Sequence, residues 1–284
     1  MNVWCHSRPE SGSAFWDLPG RVYNSIDKND DCDKTVALTI DTVVAMHQGD
    51  RKEQQDRVGL FPHPTRPGML LAVLADGMGG HSGGAMAAEQ VLLKAKQNFE
   101  AYAPDSESPE VLLREIIEEA HVVIKLTRFT SEQDPHSTAC VLLLQPGKVH
   151  WAHCGDSRIY HFRGGAVGLR SNDHSLVAEL VRTGQITEAD AETYPHRNLL
   201  LSCLGADREP KIEVCGVEGL KAGDGFLLCS DGLWGHCTDQ ELAQSVCNEP
   251  ARQAARGLID TARSRGRGTG DNISMAIIRL VEAA

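Results

Sequence analysis

Strands that come in hairpins and helices that come in pairs restrict this chain to few architectures. Apolar alternation and β-branched runs predict strands over residues 36–46, 57–61, 69–75, 138–144, 149–153, 158–162, 166–170, 211–216, 225–229 and 272–280. Short turns such as "QPGK" and "FRGG" join several of them and make the joined strands antiparallel. Helical spacing covers residues 84–102 and 110–127, divided by "APDSESP", and again 239–247 and 251–265, divided by "NEP". In residues 110–127, Leu112, Leu113, Ile116, Ile117, Ala120 and Ile124 line up as one apolar face. A third, shorter pair follows Asp173, in "HSLVAELVRTG" and "TEADAETY". The expected class is α+β: two mainly antiparallel sheets packed face to face and covered by paired helices, not a doubly wound parallel sheet.

The stretch "LLAVLADGMGGHSGGAMAAEQ", Leu70 to Gln90, poses a chemical problem. Strand, glycine turn and helix is how many proteins hold a phosphate, yet Asp76 stands where the anion should lie. The dinucleotide spacing fails, because after Gly77 and Gly79 its third glycine would fall at Ser82, and the lysine of a P-loop is missing. The same edge recurs elsewhere. "GFLLCSDGLWG" ends an apolar run at Asp231-Gly232, and "VHWAHCGDSRIYHF" ends one at Gly155-Asp156. "RGTGDNISMAIIRL" opens one at Gly270-Asp271-Asn272, and "HQGDRKEQQDRVGLF" opens one at Asp56, with Arg51 just upstream. One Asp-Gly pair alone is an ordinary turn. Five clustered carboxylates would repel and raise one another's pKa unless a cation held them. Mg²⁺ and Mn²⁺ are hard ions that take such oxygen ligands. Asp76 then holds metal that meets the phosphate, while Gly77, lacking a Cβ, turns the chain and offers its carbonyl.

Composition narrows the remaining classes. The chain has 284 residues, 41% of them apolar, enough for one large domain or two small ones with a sizeable core. A net charge of −11 opposes a broad nucleic-acid-binding face. No apolar run approaches a membrane span, and the N-terminus does not read as a signal peptide. Nine cysteines without CxxC spacing, several inside apolar runs, predict a reducing, cytoplasmic setting with no disulfide framework and no structural zinc. Cysteine phosphatase chemistry is set aside, since Cys247 is followed by Arg252 one position too early for C-x5-R and lies between two helices. Residues 1–34 are polar and read as an irregular N-terminal tail ahead of a domain over residues 35–284.

In order along the chain, "GDRKEQQD", "LADGMGGHSGG", "STACVLL", "AHCGDSRIYHFRGG", "NDHSLVAELVRTGQIT", "PHRNLLLSCLG", "AGDGFLLCSDGLWG" and "GTGDNISMAII" resemble the protein phosphatase 2C family of metal-dependent serine/threonine phosphatases, in its bacterial form. The likeness covers about residues 38–280, and eight motifs in order are specific where one is not. It implies a four-layer αββα sandwich with a flap at about residues 174–204. It implies that Asp76 bridges two metal ions, that Asp231 and Asp271 complete the first site, and that the Gly77 carbonyl and, through water, Asp56 serve the second. Asp156 with Asp231 resembles a third, weaker site of bacterial members. Arg51 resembles the arginine that grips the substrate phosphate, and Asn272 would support the Asp271 loop. The implied reaction is one-step hydrolysis of protein phosphoserine and phosphothreonine by metal-activated water, with Mn²⁺ or Mg²⁺ as cofactor and no covalent intermediate. The implied partners are phosphorylated proteins and a cognate bacterial Ser/Thr kinase or its substrates; the chain itself is expected to be a monomer that binds neither nucleic acid nor membrane.

Some positions depart from the family pattern. Gln54-Gln55-Asp56 stands where Asn-Glu-Asp is usual, so Gln55 replaces a glutamate that often contacts metal-bound water. Tyr194 leads "YPHRN" where "HPxRN" is usual, which alters flap contacts. Met78 stands where eukaryotic members carry a histidine; as general acid, His81 and a metal-bound water stay open. His174 is expected to hold the flap base by hydrogen bonds, Arg158 to pair with a carboxylate or support the Asp156 turn, and Trp234 to lie in the core, while His136 and His153 have no expected partner. Two other classes stay open: a non-catalytic phosphoprotein-binding pseudophosphatase, favoured by Gln55 alone, and a small-molecule phosphomonoesterase.

Overall fold

The computed structural model describes residues 13–16, 22–25, 36–80, 82–128 and 133–283. One sheet has seven strands: β1 (Ser13–Trp16), β2 (Val22–Ser25), β3 (Val36–His47), β10 (Arg158–Arg163), β11 (Ala166–Arg170), β13 (Gly225–Cys229) and β14 (Ile273–Glu282). Their order is β1-β3-β14-β13-β10-β11, with β2 also paired to β3. The other has five: β4 (Arg57–Pro62), β5 (Leu70–Ala75), β8 (Ala139–Gln145), β9 (Lys148–Cys154) and β12 (Glu213–Glu218), in the order β12-β9-β8-β5-β4. A short antiparallel pair, β6 (Gly77–Met78) with β7 (His136–Ser137), follows the Asp76 turn. All pairings in both large sheets are antiparallel.

Alternation along the central strands divides the core into three apolar layers. Leu70, Ala72 and Leu74 of β5, with Leu142 of β8, face Phe226, Leu228 and Ile278 of the opposite sheet. Leu71, Val73 and Ala75 point the other way, onto Ala88, Val91 and Phe99 of α1 (Gly83–Ala101) and Ile117 of α2 (Pro109–Thr127). Beyond the seven-stranded sheet, Ala45, Leu227 and Ile277 meet Leu242 and Val246 of α6 (Asp239–Asn248) and Leu258 of α7 (Ala251–Gly266). The layers therefore run helix pair, sheet, sheet, helix pair. Strands covered on both faces read as unbroken apolar runs, as "LLAVLA" does. Leu142→Ala, at a fully buried position between the sheets, is expected to cost about 2–5 kcal/mol, read as a lowered denaturant midpoint.

The helices begin where local chemistry lets them. The Ser108 hydroxyl accepts from the Val111 amide, with Pro109 in the first helical position, and Thr238 with Glu241 forms a capping box for α6. The flap contains α3 (Leu176–Arg182) and α4 (Glu188–Thr193), both without buried residues. Two features differ from expectation. The segment read as an irregular tail contains β1 and β2, which pair with the two ends of β3; four residues are too few for alternation to be visible. Its other residues, including Cys5 and Cys32, lie outside the described residues. In addition α5 (Asp231–Trp234) makes one helical turn from "DGLW", where sequence gives only a turn.

Candidate metal centre

Antiparallel register brings all five aspartates to one end of the two sheets. Arg57 pairs with Ala75, so Asp56 at the start of β4 lies beside Asp76 at the end of β5. Ala139 pairs with Cys154 and Arg158 with Cys229, which carries Asp156 and Asp231 to that same end. Asp271 enters β14, whose first residue, Ile273, pairs with His47 at the end of β3. A cleft of about 740 Å³ opens there, lined by Arg51, Gln55, Asp76, Gly77, Asp156, Asp231, Asp271 and Asn272 among others. Asp56 lies behind it, 1% exposed, its Oδ2 accepting from Ser230 Oγ at 2.9 Å.

The electrostatics of this end are those of an anionic cluster. Burial, followed by Asp56, Asp231, Asp156 and Asp271, drives Asp76 well above the ordinary carboxylate range. Burial and then Asp231 and Asp271 raise Asp56 to about 7, against the opposing hydrogen bond from Ser230. Burial and then Asp231 and Asp173 raise Asp156 to about 8; burial and then Asp271 raise Asp231 to about 6. Arg51 Nη2 lies 2.5 Å from Asp271 Oδ2 while its side chain stays 61% exposed; Arg197 acts on Asp231 and Arg158 on Asp156 in the same sense. These cations leave the carboxylates raised and so do not balance them. An all-oxygen donor set with surplus negative charge fits hard divalent cations, Mn²⁺ or Mg²⁺.

Neighbouring residues fix the turns. The Asp76 amide donates to Thr138 Oγ1 at 2.9 Å, and the Thr138 amide donates back to the Asp76 carbonyl at 2.9 Å. Thr138 Oγ1 also meets Ser157 Oγ at 2.7 Å, which ties the Asp76 turn to the Asp156 turn. Gly77 is required by proximity: a Cβ there would fall 2.0 Å from the Gly84 carbonyl oxygen in α1. Asn272 Nδ2 donates to the Gln48 and Glu53 carbonyls at 2.8 and 3.0 Å, and its Oδ1 accepts from the Gln55 amide at 2.8 Å. One side chain thus holds the loop that carries Arg51, Gln55 and Asp56 against the one that carries Asp271.

The remaining candidates fall into supporting places. Arg158 makes a double hydrogen bond to Asp173, at 2.9 and 2.8 Å, and lies 3.7 Å over the Trp234 ring. Trp234 is partly exposed and packs on the outer core layer, and its Nε1 donates to the Asp156 carbonyl at 3.0 Å. Nδ1 of His174 accepts from the Gly155 amide, whose carbonyl takes the His174 amide. His153 stacks on His174 and donates from Nε2 to the Asn172 carbonyl at 2.8 Å. Together with Glu213 these histidines offer three ligand atoms within 4.8 Å of one another. They do not form a second metal centre. The Gly155 amide leaves the proton of His174 on Nε2, facing Glu213 Oε1 at 3.5 Å, and Lys211 Nζ already lies 2.6 Å from that oxygen. His136 meets the Asp134 carbonyl at 2.9 Å, and His81 lies outside the described residues.

Sequence reasoning missed Thr138 and Ser230. "STACVLL" and "CSDG" quote them, but a hydroxyl at a strand end carries no signal of its own.

A family model described as protein phosphatase 2C matches residues 45–266. The protein phosphatase PhpP of Streptococcus pneumoniae is 31% identical over 235 residues, spanning 82% of this chain and 94% of that protein. A serine/threonine phosphatase structure from S. agalactiae superposes with a TM-score of 0.76 at 29% identity, covering 86% of this chain and all of the other. The catalytic domain of the phosphatase PstP in complex with two manganese ions superposes with a TM-score of 0.70 at 25% identity, covering 86% of this chain and 100% of that one. The chain belongs to the protein phosphatase 2C family.

Proposed function

We propose that this chain is a Mn²⁺- or Mg²⁺-dependent phosphatase that hydrolyses phosphoserine and phosphothreonine in proteins. The observation that carries the reading is the convergence of Asp76, Asp156, Asp231 and Asp271 on one cleft, with Asp56 behind and Arg51 at its rim. Asp76, on which all four other carboxylates act, would be the donor shared by two ions, with Asp231 and Asp271 completing the first site. The Gly77 carbonyl would serve the second, with Asp56 supporting it from its buried place, and Asp156 with Asp231 would hold a weaker third ion. Such ions would supply an activated water at neutral pH and offset charge on the phosphoryl oxygens. Arg51 presents two N–H groups to two of those oxygens, with Asn272 fixing the loop beneath it. Among the described residues lining the cleft none is Cys, Ser, Thr or His, and in this reading its strand-end aspartates are taken up as metal ligands, which favours direct attack by water over a covalent intermediate.

The physiological setting follows from the same reading. The enzyme acts as a cytoplasmic monomer on proteins phosphorylated by a bacterial Ser/Thr kinase, binding neither nucleic acid nor membrane. The names of the bacterial relatives support action on phosphorylated proteins, and the net charge of −11 opposes a nucleic-acid-binding face. The retained carboxylates oppose a pseudophosphatase, for which Gln55 is the one favourable feature.

Hydrolysis of a phosphothreonine peptide and of p-nitrophenyl phosphate in EDTA, Mg²⁺ and Mn²⁺ tests the proposal. Turnover only with metal and preference for the peptide are expected. Metal-independent turnover, or tight peptide binding without turnover at any metal concentration, would overturn it. Arg51→Ala should raise KM by roughly 10- to 100-fold, the equivalent of losing a charge-assisted pair of hydrogen bonds.

A further inference from the structure

The two loops at the cleft rim are irregular, yet they carry the groups that need fixed positions: residues 48–56 with Arg51, and residues 267–272 with Asp271. Backbone contact between them is unusually close. Gly49 has φ +67°, and a Cβ there would fall 1.9 Å from the Asp271 carbonyl oxygen. The Asp50 amide donates to the Gly270 carbonyl at 2.9 Å, and the Gly270 amide donates to Asp50 Oδ2 at 2.8 Å. The same carboxylate oxygen forms an ion pair with Arg263 Nη1 at 2.8 Å. Arg263 projects from the last turn of α7, a helix pinned to the sheet through Ala255, Leu258 and Ala262. The two side chains close over Gly270, where a Cβ would lie 3.3 Å from Asp50 Oδ2 and 3.4 Å from Arg263 Nη1. One residue beyond Asp50, Arg51 reaches Asp271; one residue beyond Gly270, Asp271 reaches the cleft.

We infer that Asp50 and Arg263 are positioning residues, a strut from α7 that sets the separation of Arg51 from Asp271 and so sets affinity for the phosphate and the metal. The strut rests on the phosphatase reading of the cleft. Asp50 lines the cleft at its rim, and its carboxyl is held below the usual range by Arg263 first and the Gly270 amide second. It is therefore a committed anion whose charge is spent on the strut. Among the described residues the ion-pair partner of Arg263 is Asp50, so its effect on the reaction passes through Asp50 and the Gly270 amide.

Arg263→Met keeps the apolar stem and removes the charge; Arg263→Lys keeps the charge. Asp50→Asn keeps an acceptor for Gly270 and loses the ion pair. In Arg263→Met, KM for the phosphothreonine peptide and the Mn²⁺ concentration for half-activation should each rise about tenfold, the scale of losing an outer partner of a metal site. At saturating Mn²⁺ and peptide, kcat should stay within about twofold, since the reacting groups are unchanged. Arg263→Lys should restore most of both constants. The double variant Asp50→Asn/Arg263→Met should be no worse than Arg263→Met alone, because the two residues act as one unit. Calorimetric Mn²⁺ affinity, read without turnover, should fall in Arg263→Met by the same factor. Unchanged constants in Arg263→Met, or a fall in kcat that follows Tm while both constants hold, would overturn the strut. If the wild-type chain shows no metal-dependent turnover, the phosphatase reading fails first, and Mn²⁺ affinity alone decides the strut.

Discussion

Asp76→Asn is expected to stabilise the metal-free protein while abolishing its metal-dependent turnover. The two effects come from one cause. Asp56, Asp156, Asp231 and Asp271 all act to hold the Asp76 carboxyl protonated, and burial acts in the same direction. An amide of the same shape removes that repulsion and keeps the turn, which hangs on the Asp76 amide and carbonyl through Thr138 rather than on the side chain. It also removes the donor best placed to face two cations. Turnover should fall on the order of 10³-fold or more, as when a central electrostatic element of an active site is lost, whereas Tm in EDTA should rise. Asp231→Ala should lose turnover to a similar extent. A core residue would not behave this way, since truncating it lowers stability and activity together. Asp76→Asn retaining turnover within about tenfold of wild type would remove Asp76 from the centre.

The second large effect is a pH dependence that metal reverses. Asp231, Asp56 and Asp156 titrate in the folded metal-free protein at about 6, about 7 and about 8, above the ~3.9 of an unfolded aspartate. The folded state therefore keeps protons that the unfolded state releases. The stability these groups contribute is fully present below the unfolded value and is lost as pH rises through the folded values. His174 has the opposite sign: burial lowers it to about 4, so its contribution is lost as pH falls from about 6.5 toward that value. The low carboxylates Asp224 and Glu241, both about 2, act only in acid. Between about pH 6.5 and 8.5 the raised carboxylates dominate. Tm in EDTA should fall across this window, and the gain in Tm on adding Mn²⁺ should grow with pH, because the metal displaces those protons. A flat Tm in EDTA, or a Mn²⁺ gain independent of pH, would contradict the cluster.

The sequence carried these groups plainly because each stands at one end of an apolar run, four of them beside a glycine or an asparagine, as in "LADG", "CGDS", "CSDG" and "GDNI". Antiparallel hairpins do the rest, since adjacent strand ends share one edge of the sheet. The layer order was legible for a similar reason: "LLAVLA" and "MAII" are apolar on both faces, and "LLREIIEEA" on one. Contacts without a local pattern were not legible. Asp50 and Arg263 meet across a fold that pairs the chain's first third with its last turn of helix, and no spacing announces it. Ser230 reads as part of a turn, although it secures the buried Asp56. His153 pairs with a backbone carbonyl, which every residue offers. Trp234 reads as core because its indole N–H has no visible destination until the Asp156 carbonyl is brought above it.

Manganese titration by calorimetry, at pH 7 in two buffers of different ionisation enthalpy, tests the metal centre most directly. Protons released on binding appear as a difference between the buffers. The raised carboxylates call for at least two ions bound per chain with net proton release in the wild type, and for loss of both in Asp76→Asn. Binding without proton release, or binding that survives Asp76→Asn unchanged, would place the metal elsewhere and leave the strand-end aspartates without a role.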